Sequence, residues 1–225
     1  MLNKYSLAVA LAAILTGCES SSSNRPTPAL DSTTYTVIDG YLSAAEVYVI
    51  SPTDNIKTLI GETDANGQIQ ISDEYKEYAV IAKIIAGHTT DSDHAGFVTK
   101  NYEMRGTANS VVVTPFTTLA YMNQISISEL AVVLQLDEAD VGGDYVKTAD
   151  GKAYLVARTL ATQFDADSSN DAADVDALQT LASDAASYID SFLPVMGDDL
   201  NNIELKIDTN DHSLSYQLRV SSPTI

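Results

Sequence analysis

The feature that most constrains this chain is its single cysteine, Cys18, placed directly behind an apolar run. One thiol cannot form an intramolecular disulfide, so the fold rests on hydrophobic burial alone. Lys4 gives the N-terminus a positive charge, and Leu7 to Leu15 is an unbroken stretch of Leu, Ala, Val and Ile ahead of Thr16-Gly17-Cys18. That stretch is too short to span a bilayer, which takes ~20 apolar residues. It reads as a secretory signal over residues 1–17.

The 12 Lys+Arg set against 31 Asp+Glu give a net charge of −19. Such a chain is a poor partner for nucleic acid, whose phosphates call for a basic face. It also lacks the basic cluster that docks proteins on anionic lipid. The length allows one large or two small domains. Residues 18–34 are rich in Ser, Thr and Pro without an apolar period, and read as a flexible tether with a reach of about 20 to 25 Å.

From Tyr35 the pattern changes to short β-type runs. Tyr35–Ile38 precedes the turn signal Asp39-Gly40, and in Tyr41–Ile50 Val47 and Val49 face opposite to Glu46 and Tyr48. Lys57–Ile60 and Gln68–Ile71 flank Asn66-Gly67, the dipeptide that best tolerates a tight hairpin turn. Tyr78–Ile85 is the most apolar strand, and Val111–Val113 closes the series. Strands at this density over residues 35–113 indicate an antiparallel sandwich.

Residues 114–200 read as helical. Thr114 caps a helix with Pro115 at its first position, and Ser126-Ile-Ser-Glu129 is a capping box opening a second helix through Leu136. Gly142-Gly143 breaks the pattern. A third helix from near Gly151 places Tyr154, Ala157, Leu160, Ala161 and Phe164 on one stripe. A fourth, from Ala172 to Phe192, repeats Val175, Leu178, Ala182, Ala185 and Ile189 and is expected to stop before Pro194. Residues 201–225 contain two alternating runs, Ile203–Ile207 and Leu214–Val220, which make a C-terminal β-hairpin. The fold class expected is therefore α+β: a sandwich, a small helical bundle and a hairpin.

Two constellations could hold a metal. His88, Asp91, Asp93 and His94 stand within one loop and could ligate zinc or another divalent ion; the Asp pair equally serves to shape a polar turn. Asp165, Asp167, Ser169 and Asp176 match positions 1, 3, 5 and 12 of a calcium loop, with Asn170 in place of the usual Gly and Asp176 in place of Glu. No Gly-x-Ser-x-Gly elbow, His-Glu-x-x-His, phosphate loop or free thiol nucleophile is present, and the chain is read as non-enzymatic.

Leu15-Thr-Gly-Cys18 resembles the lipobox of bacterial lipoproteins. The resemblance implies cleavage before Cys18 and a diacylglycerol on its thiol. Glu19, which is not the Asp that retains lipoproteins in the inner membrane, implies the outer membrane. Tyr41-Leu-Ser-Ala-Ala-Glu-Val-Tyr-Val49, Gly61-Glu-Thr-Asp-Ala-Asn-Gly67 and Tyr78-Ala-Val-Ile-Ala-Lys83 resemble the prealbumin-like sandwich called carboxypeptidase regulatory-like, a non-catalytic module. Val37–Leu42, Asp91-Ser-Asp93 and Val113-Thr-Pro-Phe-Thr-Thr-Leu119 are similar to Gram-negative surface lipoproteins that carry such a sandwich before a helical segment. The expectation is an outer-membrane-anchored, non-enzymatic binding or scaffolding module, facing periplasm or exterior, with a protein or glycan partner met at a sandwich edge or loop face. Alternatives are a calcium-responsive protein using the 165–176 loop and an envelope hydrolase of another type.

Overall fold

The computed structural model describes residues 31–107, 110–166, 172–196, 200, 203–208, 211 and 213–218. The leader, Cys18 and most of the tether lie outside these residues. Among those described, the chain is mixed α+β, with eleven strands and six α-helices.

The strands form two principal sheets. β1 (Ser32–Val37) pairs antiparallel with β5 (Gln68–Ser72) and, along its other edge, parallel with β9 (Val112–Val113). The second sheet has the order β4 (Lys57–Glu62), β3 (Glu46–Ile50), β6 (Ala79–Ile84) and β8 (Tyr102–Gly106), antiparallel throughout. A short ribbon joins β2 (Leu42–Ser43) to β7 (Thr90–Asp91). The alternation read from sequence is realised: Val47 and Val49 are fully buried while Glu46 and Tyr48 are partly exposed. Tyr35 and Val37 share one core with Val80, Ala82 and Ile84 of the other sheet.

The Asn66-Gly67 turn departs from expectation. It does not make a hairpin, because the strands on its two sides belong to different sheets. Asp64 Oδ1 accepts from the backbone N–H groups of Asn66 (2.8 Å) and Gln68 (2.9 Å), which folds the chain over from one layer to the other. Gly67 has φ +69°, and a Cβ there would stand 2.6 Å from the Val37 carbonyl oxygen. The need for glycine is thus a close crossing beneath β1 as well as a positive φ. β8 carries no strand signature in the sequence, because Glu103 and Arg105 interrupt its apolar character. It nevertheless pairs with β6 over five residues, with Tyr102 and Met104 buried.

The helices begin as their caps require. In α1 (Pro115–Asn123) the Thr114 and Thr117 side chains each accept from the other's backbone N–H (3.1 and 2.8 Å). In α2 (Ile127–Leu134) Ser126 and Glu129 do the same. Both helices close on a left-handed glutamine, Gln124 and Gln135, so α2 stops short of Leu136. Around Gly142-Gly143 stand two single-turn helices, α3 (Glu138–Val141) and α4 (Tyr145–Thr148). α5 (Gly151–Ala161) is buried along most of its length. α6 (Ala172–Met196) buries Val175, Leu178, Ala182, Ala185 and Ile189 as expected, but its backbone continues through Pro194. The proline forfeits one hydrogen bond in the last turn without ending it. No described helix is long and apolar enough to cross a membrane.

β10 (Ile203–Ile207) and β11 (Leu214–Leu218) form the C-terminal hairpin in five-pair register, and Ile203 and Leu205 are buried within the common core. That core is continuous from the sandwich through the helices. Replacing Gly67 by Ala is therefore expected to lower stability more than the same change at Gly87. Both pay about 1 kcal/mol of left-handed strain, but only Gly67 meets a carbonyl, Gly87 having nothing within 4 Å. Denaturant melts of the two variants compare them directly.

Candidate functional site

The Asp39-Gly40 turn after β1 does more than reverse the chain. Gly40 lies so close to the Asp91-Ser92-Asp93 loop that a Cβ would fall 2.3 Å from Asp91 Oδ1. Ser92 Oγ accepts from Tyr41 N–H (2.9 Å), and Ser92 N–H donates to the Tyr41 carbonyl (3.1 Å), which fixes the contact. Asp91 Oδ1 also accepts from Asp93 N–H at 2.9 Å. Three carboxylates, Asp39, Asp91 and Asp93, are thereby brought together with little exposure.

Tyr102 closes the cluster from β8, and two tyrosines and one arginine close it from the helical side. Tyr102 on β8 donates to Asp39 Oδ2 at 2.8 Å. Tyr145 on α4, fully buried, donates to the Ile38 carbonyl at 3.1 Å. On α5, Tyr154 hydrogen-bonds Asp93, and Arg158 places Nε 3.9 Å from Asp93 Oδ2 while its guanidinium lies over the Tyr154 ring. Phe116, Tyr145 and Tyr154 follow one another at ring separations of 5.7 and 5.8 Å. Asp39 Oδ1 and Arg158 Nη1 have no hydrogen-bond partner among the described residues.

Burial, reinforced by the charge of Asp91, pushes the Asp39 carboxyl well above the usual carboxylate range, and the Tyr102 hydrogen bond only partly opposes it. Burial, then the Asp39 charge, likewise raises the phenols of Tyr102 and Tyr145. One cation among three carboxylates leaves an excess of negative charge in a place water hardly reaches, where an uncompensated ion is costly.

Above the cluster is a cavity of about 370 Å³. Asp39, Asp91 and Tyr102 line one end, α5 contributes Leu155, Arg158 and Ala161, and the hairpin contributes Glu204 and Leu205. Phe97, 59% exposed, borders it from the loop after β7.

Of the first metal constellation, Asp91 and Asp93 belong to this cluster, and His94 Nδ1 is 3.3 Å from Asp91 Oδ2. His88 turns away, its Nε2 3.2 Å from Glu62 Oε1. Of the calcium loop, Asp167 and Ser169 lie outside the described residues. The Asp165 carbonyl accepts from Glu103 N–H at 3.1 Å, and Asp176 is exposed on α6. Among the described residues no group of three or more His, Cys, Asp or Glu is arranged to hold a metal ion.

Sequence reading missed Asp39, Tyr102, Tyr145 and Arg158 as site residues. A signal existed for the last: Arg158 stands four residues after Tyr154, on the buried stripe of α5, where a lone cation needs a partner. Comparisons with protein-family models, with characterised proteins and with solved structures return no match.

The groups facing Asp39 are Tyr102, Asp91, Asp93, Arg158 and Tyr145. The folded protein holds a proton on Asp39 more tightly than the unfolded chain, whose value is ~3.9. This contribution to stability is fully present below about pH 4 and is lost as pH rises toward the folded value. Asp39→Asn, which keeps an acceptor for Tyr102, is expected to gain on the wild type as pH rises from 4 to 7. Urea melts across that range measure it; a difference independent of pH would contradict the assignment.

Proposed function

We propose that this chain is an outer-membrane lipoprotein, anchored through an acylated Cys18, that acts without catalysis as a binding module of the cell envelope. Its strand-rich layer is read as a prealbumin-like sandwich of the carboxypeptidase regulatory-like kind, carried above the lipid on the tether that precedes β1. The cavity is the proposed binding site. It is the observation that carries the reading, because a concave site of this size, mostly apolar and ending in a few convergent polar groups, is the usual form of a ligand pocket. Its walls come from the sandwich, α5 and the hairpin together, so it is built on packed elements.

Support for the anchor is chemical. A chain of net charge −19 has no electrostatic hold on an anionic bilayer, whereas acyl chains contribute ~0.8 kcal/mol per buried methylene, and two or more give stable attachment. Native protein taken from the envelope is expected to begin at Cys18 and to carry the mass of a diacylglycerol on that residue. Cys18→Ser is expected to leave the membrane fraction. Mass spectrometry of the N-terminal peptide decides it, and a free thiol or a retained leader overturns the anchor.

A further inference from the structure

Two orphaned atoms belong to residues that line this cavity, and they differ in kind. Asp39 Oδ1 is an acceptor and Arg158 Nη1 a donor; neither has a partner among the described residues, and both side chains belong to residues only 8% exposed. Both residues line the same cavity and act on each other electrostatically. We infer that this cavity takes a primary ammonium group adjacent to a carbonyl on an apolar body, the chemistry shared by the free amino end of a peptide and by an amino-acid amide. The ammonium meets Asp39, whose carboxyl releases its proton to solvent as the cation enters, and Arg158 donates to the carbonyl oxygen. The inference rests on the cavity being the binding site.

Charge selects this ligand over its neighbours. The Arg158 guanidinium already acts on Asp39 and Glu204 and lies beside Asp93, Asp91 lines the same cavity, and the second lining cation, Lys100, donates to the Thr162 carbonyl (3.2 Å), so acidic side chains still outnumber basic ones. An added carboxylate would face this acidic surplus, whereas an added cation relieves it. Arg158 Nη1 still needs an acceptor, and a neutral carbonyl supplies one without a further negative charge. Val98, Leu155, Ala161 and Leu205 offer aliphatic surface, and about 370 Å³ is room for one apolar side chain with its backbone, not for a folded segment.

Neither orphaned atom is open to solvent, so a side chain must turn aside as the ligand enters. His94 also lines the cavity, with its side chain 58% exposed and its Nδ1 3.3 Å from Asp91 Oδ2.

Calorimetric titration of the purified protein with five compounds tests this. Leucinamide is expected to bind. N-acetyl-leucinamide, which lacks the cation, is expected to bind at least tenfold more weakly, as is leucine, which adds a carboxylate. 3-Methylbutylamine, lacking the carbonyl, is expected between these and leucinamide. Leu-Gly-Gly separates the two sources: affinity within threefold of leucinamide marks a peptide end, and a tenfold loss marks a small amide, either one upholding the shared chemistry. Asp39→Asn is expected to weaken leucinamide at least tenfold, and Arg158→Lys to narrow the gap between leucinamide and 3-methylbutylamine, both variants being checked for cooperative melting. The ligand series on the wild type stands even where a variant fails to fold. Equal or tighter binding of the acetylated compound overturns the ammonium while leaving the cavity as a binding site. Tighter binding of leucine overturns the charge argument, and no binding of any compound at millimolar concentration overturns the inference outright. None of these outcomes bears on the lipid at Cys18, which mass spectrometry reads separately.

Discussion

A buried carboxylate at the end of the first strand is what the rest of the structure is arranged around. Asp39 is reached from the sandwich by Tyr102 and from the helices by Tyr145, whose hydroxyl bonds the backbone carbonyl beside it. With one cysteine in the chain, no disulfide ties the two layers, and these tyrosines do so within a shared apolar core. A polar group so placed adds little net stability, but one left unpartnered costs about 1 to 3 kcal/mol. What it contributes is specificity: the two sheets must meet so that Tyr102 reaches Asp39, and the helices must seat so that Tyr145 reaches the Ile38 carbonyl. Gly40 permits the arrangement, since any side chain there would collide with the Asp91 loop.

The sheet edges bear on how a macromolecular partner could approach. β8 is closed on its outer side: Arg105 N–H donates to Thr118 Oγ1 (2.9 Å), Glu103 N–H to the Asp165 carbonyl (3.1 Å), and Thr117 Oγ1 to the Arg105 carbonyl (2.8 Å). At the opposite edge β4 has no strand beyond it among the described residues, but a register irregularity opposite Val47 and Tyr48 breaks its ladder and Lys57 stands at its start. Bulges and edge lysines are the devices that discourage strand addition. The edges of the four-stranded sheet are thus less inviting to an added strand than the sequence alone suggested. A concave site beside the helices is the better-formed binding feature.

What was legible in the sequence followed local rules. Thr114-Pro115 and Ser126 with Glu129 announce helix starts because capping is decided within four residues. The apolar stripes of α5 and α6 are legible for the same reason. Gln124 and Gln135 end their helices in a conformation usually given to glycine or asparagine, so these stops carried no residue signature. β8 was hidden because its charged residues find partners only in three dimensions: Glu103, 1% exposed, is met by Lys57 at 3.6 Å and Arg105 at 3.4 Å. The site was the least legible of all. Asp39, Asp91, Tyr102 and Arg158 are far apart in the chain, and Asp39-Gly40 carried the local signature of an ordinary turn. The Asp91-Ser-Asp93 loop was noticed for the right residues, but their partners are an arginine and tyrosines from the helical side rather than the neighbouring histidines alone.

The same first strand also relates the proposed site to the proposed anchor. β1 begins at Ser32, where the tether hands over to the folded body, and runs to Val37, two residues before Asp39. An extended strand of this length covers about 20 Å, so chain entry and cavity floor lie at opposite ends of β1. Its hydrogen bonds to β5 on one side and β9 on the other hold that separation fixed. The proposed anchor at Cys18 would therefore join the body at the end of β1 remote from Asp39.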